Sequence, residues 1–405
     1  NDEFTGRLMN IYKKILSDNV KQPIILGLHR SDYMLHNVEN DSRSLMQVEL
    51  NTIAASFGSL SSKISDMHRT LFLSGSQELS PPNYAHHEFA DGIAKAHELY
   101  LNQRNLTKND NVTVVMIVQP GERNVADQWH LQFALLQRHG ITCLRYSLHD
   151  IFTHGTIDKE NSSILKIHNQ EISVVYFRAG YTPNDYPTES EWIAREIIEY
   201  SAAVKCPNIS YHLVGAKKVQ QVLANPGELE KFLTNEECEQ LRAVFAGLYS
   251  LDPADSSIER VNEVKEMLKL NPNNFVLKPQ REGGGNNIYG EDIIHALNTM
   301  SSNELTAYIA MEKIHPPSQP STLIRRYAVT EVTSVCELGI YSVYLSSSSS
   351  SFSSSSLDTT STEIATEIEH INSYAGYLLR VKGEHVTEGG VAAGYSVLSS
   401  VELQN

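Results

Sequence analysis

Between residues 111 and 203 short apolar runs alternate with helical patterns, and that grammar commits the stretch to an α/β fold. It predicts a strand over 112–118, a helix over 127–138, strands over 141–146 and 172–177, and a helix over 190–203. Strands joined through helices run parallel, so a compact subdomain around a parallel sheet is expected. Ligands of such sheets bind beyond the carboxyl ends of the strands. Two polar clusters fall there: Glu122-Arg123-Asn124 after the first strand, and Arg178-Ala179-Gly180-Tyr181 after the last.

The flanking regions follow other patterns. Phe4, Leu8, Ile11 and Ile15 recur at helical spacing. Ile24 to Leu28 predicts a short strand ending before Arg30. From Met46 onward apolar and polar residues alternate, which places Gln47, Glu49 and Asn51 on one strand face. Beyond residue 215, helices are predicted over 217–224, 237–249 and 256–268, and strands over 275–278, 307–313, 334–345 and 377–382. Residues 346–356 are serines around Phe352, a composition that cannot bury a core and predicts a flexible loop.

Composition excludes several function classes. The 405 residues suit roughly two to three domains and carry a net charge of −15. A general nucleic-acid or anionic-membrane binder needs basic stripes, which this balance argues against. One anionic ligand needs only a local cluster of Lys and Arg. The most apolar stretch, 112–118, is far shorter than a membrane span. Cys143, Cys206, Cys238 and Cys336 form no CxxC pair, so neither a zinc site nor a disulfide framework is expected and a reducing compartment fits.

The strongest local signal is the glycine triplet Gly283-Gly284-Gly285. It lies between Lys278-Pro279-Gln280-Arg281-Glu282 and Asn286-Asn287, directly after a predicted strand. Such a turn exposes backbone N–H groups that can close over phosphates. An ordinary hairpin turn fits the same residues. The stretch matches neither a Walker A loop nor a dinucleotide fingerprint. Glu49 and Asn51 offer two hard oxygens on one face, which suits magnesium or a solvated strand face. Arg30, Arg123, Arg178, Lys217, Lys218, Lys278, Lys313, Arg380 and Lys382 stand near element ends or glycine-rich turns, as anion partners would. A second glycine-rich loop, Glu388-Gly389-Gly390-Val391-Ala392-Ala393-Gly394, lets backbone approach a small ligand. No GxSxG elbow, Cys–His arrangement or HxxxH pair stands out, and the adjacent His86 and His87 are expected to diverge.

At these residues the sequence resembles the eukaryotic glutathione synthetases, a family of ATP-grasp ligases. The resemblance is carried by Arg30-Ser31-Asp32-Tyr33-Met34, Val48-Glu49-Leu50-Asn51-Thr52-Ile53, Glu122-Arg123-Asn124 and Tyr176-Phe177-Arg178-Ala179-Gly180-Tyr181. It continues through the run from Lys278 to Tyr289, Met311-Glu312-Lys313-Ile314, Glu337-Leu338-Gly339, Leu379-Arg380-Val381-Lys382 and the Gly389 to Gly394 loop. These motifs stand in the family's order and span almost the whole chain. Tyr181 to Pro187 looks closest to the plant-type members.

The resemblance implies an α/β fold, an ATP-grasp catalytic body with an inserted parallel-sheet substrate-binding subdomain and a glycine-rich lid. Residues 1–110 would hold the N-terminal part of the body with the magnesium strand. Residues 111–214 would form the subdomain, and 215–405 the rest of the body and the lid. The implied reaction joins γ-glutamylcysteine to glycine with ATP and Mg2+, through an acyl phosphate. Lys278, Glu282 and Arg380 match catalytic positions, and Glu49, Asn51 and Glu282 match magnesium ligands. ATP contacts match Glu49, Lys217, Lys278, Pro279, Gln280, Arg281, Glu282, Gly283, Gly284, Gly285, Asn286, Asn287, Tyr289, Met311, Glu312, Lys313, Ile314, Glu337, Lys382 and Glu388. Positions around the dipeptide and glycine match Arg30, Ile53, Ala54, Ala55, Ser56, Glu122, Arg123, Asn124, Gln128, Arg178, Ala179, Gly180, Tyr181, Arg380, Val391 and Ala392.

A homodimer in the cytoplasm, or in an organelle such as a plastid, is also implied, with no nucleic-acid or membrane partner. Family members usually carry further residues before the position of Asn1, and a hydroxyl-bearing residue where Ala54 stands. The serine stretch replaces a hairpin of mixed residues that usually carries an Arg, and Cys336 stands where Ser is common. Relatives that use β-alanine carry a bulkier pair at Ala392-Ala393, so the small pair predicts glycine. A ligase using β-alanine and a non-catalytic nucleotide-binding fragment are the competing readings. The retained magnesium and phosphate residues argue against the fragment.

Overall fold

A computed structural model describes residues 2–20, 22–38, 42–71, 80–158, 163–280, 286–325, 327–347, 369–387 and 389–403. The chain opens with helix α1 (Glu3–Ser17) and the strands β1 (Ile24–Asn37) and β2 (Arg43–Asn51), followed by helices α2 (Gly58–Leu71) and α3 (Ala85–Gln103). An α/β unit comes next: β3 (Val112–Ile117), α4 (Val125–His139), β4 (Cys143–Tyr146), α5 (Leu148–His154), β5 (Gly155–Asp158), β6 (Ile164–Ile167), β7 (Gln170–Phe177), α6 (Glu189–Tyr200) and β8 (Val204–Cys206). The chain then forms α7 (Ile209–Val214), α8 (Lys217–Leu223), α9 (Asn235–Arg242), β9 (Leu248–Ser250), α10 (Ile258–Leu270), β10 (Phe275–Pro279) and β11 (Ile288–Tyr289). It ends with α11 (Glu291–Thr299), α12 (Ser302–Leu305), β12 (Tyr308–Glu312), β13 (Gln319–Arg325), β14 (Ala328–Ser347), β15 (Glu369–Gly383) and β16 (Val397–Ser399).

These strands make three sheets. The largest is antiparallel, in the order β16-β15-β14-β1-β2, with β13 also on β14. A smaller antiparallel sheet runs β11-β10-β12-β9. The third, β4-β3-β7-β6-β5 with β8 on β7, belongs to the α/β unit. Its β3–β4, β3–β7 and β7–β8 pairings are parallel, as expected, but β5–β6 and β6–β7 are antiparallel. The reason is a two-residue turn between β6 and β7. His168 (φ +48) and Asn169 (φ +64) both take the left-handed conformation that such hairpin turns require. Neither is glycine, so the usual Asn-Gly or Asp-Gly signal of such a turn is missing.

Strand β1 lies between β14 and β2 in the largest sheet and runs beyond the predicted strand end at Leu28. Its inward face is Ile24, Leu26 and Leu28, all buried in one core with Phe89 and Ile93 of α3 and with Val343 and Leu345 of β14. The same period-two face then continues into Arg30 and Asp32, also buried. One face of one strand therefore passes from hydrophobic core to charged site without a break.

Other differences have local causes. No element was expected over α2 and α3. The buried face of α2 is serine: Ser61 and Ser62 return their hydroxyls to Gly58 O, and Ser65 meets Tyr377 Oη at 3.0 Å. Hydrogen-bonded serines can be buried without apolar periodicity. The helix predicted over 237–249 divides into α9 and the edge strand β9, which pairs with β12. His86 and His87 do not diverge, since their ring centroids lie 3.7 Å apart. Most of the serine stretch lies outside the described residues, although Ser346 and Ser347 still pair with His370 and Glu369.

Buried histidines give this fold a pH signature. Burial pushes His86 down to about 3 and His97 to about 4, and it lowers His212 well below the ordinary range. The unfolded chain takes up these protons first. The stabilisation is therefore complete above the ordinary histidine value near 6.5 and is lost as pH falls toward about 4. Thermal melts should show Tm falling between about pH 7 and pH 5, with a shallower slope in His97→Phe. Equal slopes in the two proteins would remove His97 from the account.

Candidate active site

The register of the largest sheet assembles the floor of a cavity of about 710 Å³. Arg30 lies opposite both Asn51 and Tyr341, Asp32 opposite both Glu49 and Gly339, and Glu337 opposite Arg380. A bulge interrupts β2 here, because Asp32 pairs with Glu49 while Tyr33 pairs with Gln47. Val48 is the extra residue, and Val48, Glu49 and Asn51 all face the cavity. Gln47 does not share that face as predicted. It donates to Ser31 Oγ at 2.7 Å instead.

Charge on the floor is organised around Asp32, which is 0% exposed. Its carboxylate accepts from Arg30 Nε (2.6 Å) and Nη2 (2.9 Å), Asn51 Nδ2 (3.0 Å) and Arg380 Nη2 (3.0 Å). Arg380 Nη2 also donates to Glu337. Burial works against both guanidinium charges, yet Asp32 beside Arg30, and Glu337 with Asp32 beside Arg380, keep both arginines charged. Glu337 is raised, by burial first and by the nearby Asp32 and Glu49, against the pull of Arg380.

The second sheet supplies the facing wall. Its register sets Val276 opposite both Tyr289 and Met311, and Lys278 opposite Ile309. Lys278 Nζ crosses to donate to Val48 O at 2.8 Å, tying β10 to β2. Lys217, at the start of α8, pairs with Glu49 at 3.1 Å. Burial disfavours the Glu49 charge, but Lys217, Lys278 and Arg380 outweigh it and hold the carboxyl well below the usual range. Met34, Val276, Met311, Ile314 and Pro316 add an apolar slot beside these charges. An apolar slot next to clustered cations suits a ligand with a flat ring and an anionic tail.

The rim is the second glycine-rich loop. Lys382 Nζ donates to Thr387 O at 2.8 Å, and Ser396 Oγ to Gly389 O at 2.7 Å. A Cβ on Gly389 would stand 3.0 Å from Glu337 Oε2, so glycine lets this loop lie directly on the floor.

A family model described as eukaryotic glutathione synthase, ATP binding domain, matches residues 1–403. The chain belongs to the eukaryotic glutathione synthetase family. It is 42% identical over 417 residues to the glutathione synthetase of Dictyostelium discoideum, covering 100% of this chain and 82% of that protein. Against the chloroplastic glutathione synthetase of Arabidopsis thaliana the identity is 42% over 412 residues, covering 99% and 69%. Against the glutathione synthetase of Homo sapiens it is 40% over 407 residues, covering 98% and 79%. A solved glutathione synthetase-like effector from Globodera pallida shares the fold, with a TM-score of 0.72, 20% identity and coverage of 98% and 80%. The protein is thus an ATP-dependent ligase of the glutathione synthetase type.

With the glutathione synthetase family in view, the predicted residues divide into three groups. The cavity wall carries Arg30, Glu49, Asn51, Ile53, Ala54, Ser56, Tyr181, Lys217, Lys278, Pro279, Asn287, Tyr289, Met311, Glu312, Lys313, Ile314, Glu337, Arg380, Lys382, Val391 and Ala392. Arg281, Glu282, Gly283, Gly284, Gly285 and Glu388 lie outside the described residues. The wall does not include Ala55, Glu122, Arg123, Asn124, Gln128, Arg178, Ala179, Gly180, Gln280 or Asn286. Gln280 instead accepts from Lys218 N at 2.7 Å, and Arg123 is exposed. Asn124, Gln128 and Arg178 are buried. Asn124 Nδ2 and Gln128 Nε2 are buried without an acceptor among the described residues.

Beyond apolar wall residues such as Met34, Val276 and Pro316, two carboxylates that organise the site were not singled out from sequence. Asp127 accepts from the backbone N–H of Phe57 (2.9 Å), Ser59 (3.0 Å) and Leu60 (3.1 Å), and from Arg178 (3.4 Å). It caps α2 from the α/β unit and pins a loop in which Ala54 (φ +55) and Phe57 (φ +71) are left-handed. Asp32, the hub of the floor, is the other. Its signal was the period-two face running on from Leu26 and Leu28.

Proposed function

We propose that this cavity joins γ-glutamylcysteine to glycine with ATP, releasing glutathione, ADP and phosphate. The observation that carries this reading is the juxtaposition of two cation sets across one cavity. Arg30 and Arg380 stand on the floor, with Lys278 and Lys217 near Glu49. The apolar slot takes the nucleotide base, which directs the phosphates toward Lys278 and Lys217. The cysteinyl carboxylate, held by the arginines, attacks the γ-phosphorus, and ADP leaves. Glycine's amine then attacks the acyl carbon, phosphate departs, and the amine gives up its proton. Each step gathers anions, so fixed cations in a water-poor cavity favour it. Guanidinium forks suit the carboxylates because they bind two oxygens at once.

The donor set fits a hard divalent cation. Asn51 commits its amide nitrogen to Arg30 O (3.3 Å) and Asp32, which turns its amide oxygen toward the cavity beside Glu49. Glu49, Asn51 and Glu282 would hold magnesium, which when bound neutralises charge on the transferring phosphate. Glycine as acceptor is supported by the small Ala392 and Ala393 on the wall beside Gly389 and Gly390. The homodimer comes to the proposal from the family resemblance. The four cysteines are free, which suits a reducing compartment such as the cytoplasm. Among the described residues no helix is long and apolar enough to cross a membrane.

A coupled assay of ADP release tests the reading. With γ-glutamylcysteine, glycine should support turnover and β-alanine should not, and Glu282→Ala should abolish it. No turnover with either acceptor, in a folded chain, would overturn the proposal. Normal activity in Glu282→Ala would overturn the metal assignment.

A further inference from the structure

We propose that Asp32 is a positioning residue that fixes Arg30 and Arg380 as a matched pair and selects which edge of each guanidinium meets the substrate. This rests on the reading above that the two arginines grip substrate carboxylates.

The argument starts from one oxygen. Asp32 Oδ2 receives Arg30 Nη2, Arg380 Nη2 and Asn51 Nδ2, while Oδ1 receives Arg30 Nε. Both guanidinium groups are therefore keyed to a single atom. Two like charges this close would splay apart without a shared anion, and in a buried site the repulsion is poorly screened. Arg380 has a second carboxylate, Glu337, but the only carboxylate that the described ion pairs give Arg30 is Asp32. Bidentate pairing uses the Nε–Nη2 edge of Arg30 and leaves Nη1, which reaches Ser56 O at a long 3.5 Å. On Arg380 only Nη2 is held among the described residues. Its Nε is buried and has no acceptor among the described residues. Asp32 does not line the cavity, so it acts on a ligand through the side chains it holds, the two arginines and Asn51.

The neighbouring strand shows independently that the fold is built around this pair. Gly339 faces Asp32 across β1 and β14. A Cβ there would stand 2.7 Å from Asp32 Oδ1, 2.7 Å from Arg30 Cδ and 3.1 Å from Arg30 Cγ. No side chain larger than hydrogen fits without moving the pair, whatever the ligand.

Two variants read this out. Asp32→Asn keeps the volume but removes the charge and turns an N–H toward an arginine. Gly339→Ala leaves Asp32 intact and displaces it. Both should lower kcat/KM for γ-glutamylcysteine, by about 10²-fold in Asp32→Asn and by about tenfold in Gly339→Ala. The dissociation constant for ATP, measured by calorimetry without magnesium so that Asn51 does not enter, should move less than about threefold. Adding Asp32→Asn to Arg30→Ala should cost much less than their separate effects combined, because the residues act as a unit. If Asp32→Asn does not fold, Gly339→Ala and its combination with Arg30→Ala carry the test. Equal losses for ATP and dipeptide, or additive losses, would overturn the positioning role. If Arg30→Ala and Arg380→Ala weaken the dipeptide but Asp32→Asn and Gly339→Ala do not, the proposal fails while the arginine assignment stands. If the arginine variants themselves leave the dipeptide unaffected, that assignment fails first.

Discussion

Lys278→Met is expected to lower kcat for ADP release by about 10²- to 10³-fold, the loss typical when one fixed donor is removed from a developing anion. The substitution keeps the stem and removes the ammonium. Lys278 is buried at the end of β10 and donates to Val48 O at 2.8 Å, the extra residue of the β2 bulge. That places its charge between the two sheets and close enough to Glu49 to depress its titration. A purely structural staple would behave differently. Loss of one hydrogen bond to a carbonyl would lower Tm and leave turnover per folded molecule nearly intact. The proposed role predicts the opposite division, with kcat falling in protein that still melts cooperatively and the KM for glycine changing little. Turnover within tenfold of the parent at saturating substrates would remove Lys278 from phosphate chemistry.

Legibility followed the range of the interactions. The α/β unit could be read because each of its main elements carries its own period, from Val114–Ile117 to the helix that ends at His139 and Gly140. The glycine-rich motifs were also local. The floor of the site was not. Arg380 and Asp32 are 348 positions apart, and only the pairing of β14 with both β1 and β15 brings them together. Strand β1 was cut short at Leu28 because a charged pair normally ends a hydrophobic face. Here Arg30 and Asp32 continue it, each neutralising the other. Gln47 was put on the wrong face because a bulge adds one residue and reverses the alternation on one side of it. Helix α2 escaped notice because it buries serines. For β1 and Gln47 the local rule gave way at the cavity, where function supplies the reason that packing does not.

The opening balance of charge also takes on structure. A chain of net charge −15 places Arg30, Lys217, Lys278 and Arg380 on one cavity wall. Three carboxylates, Asp32, Glu49 and Glu337, hold Arg30, Lys217 and Arg380 in place, and Val48 O holds Lys278. An acidic balance repels polyanions, while the focused interior charge suits the proposed nucleotide and dipeptide.

Glu49→Gln should raise the magnesium concentration for half-maximal turnover by at least about tenfold and lower kcat at low magnesium. Gln keeps the volume and one acceptor oxygen but not the charge. In the parent, burial opposes ionisation of Glu49, and Lys217, Lys278 and Arg380 more than offset it. A carboxyl held below its ordinary value is stabilising above the ordinary carboxylate range, and that stabilisation is lost only as pH falls through the lowered value. Glu49 is therefore charged across the ordinary carboxylate range, so an acid limb of the pH–rate profile in that range should belong to another group. Removing the charge leaves Lys217 without its 3.1 Å partner, which predicts a lower Tm as well. Excess magnesium separates the two roles. If Glu49 holds the metal, raising magnesium should restore much of the turnover in Glu49→Gln while Tm stays low. If its carboxylate only neutralises Lys217, turnover should not respond to magnesium.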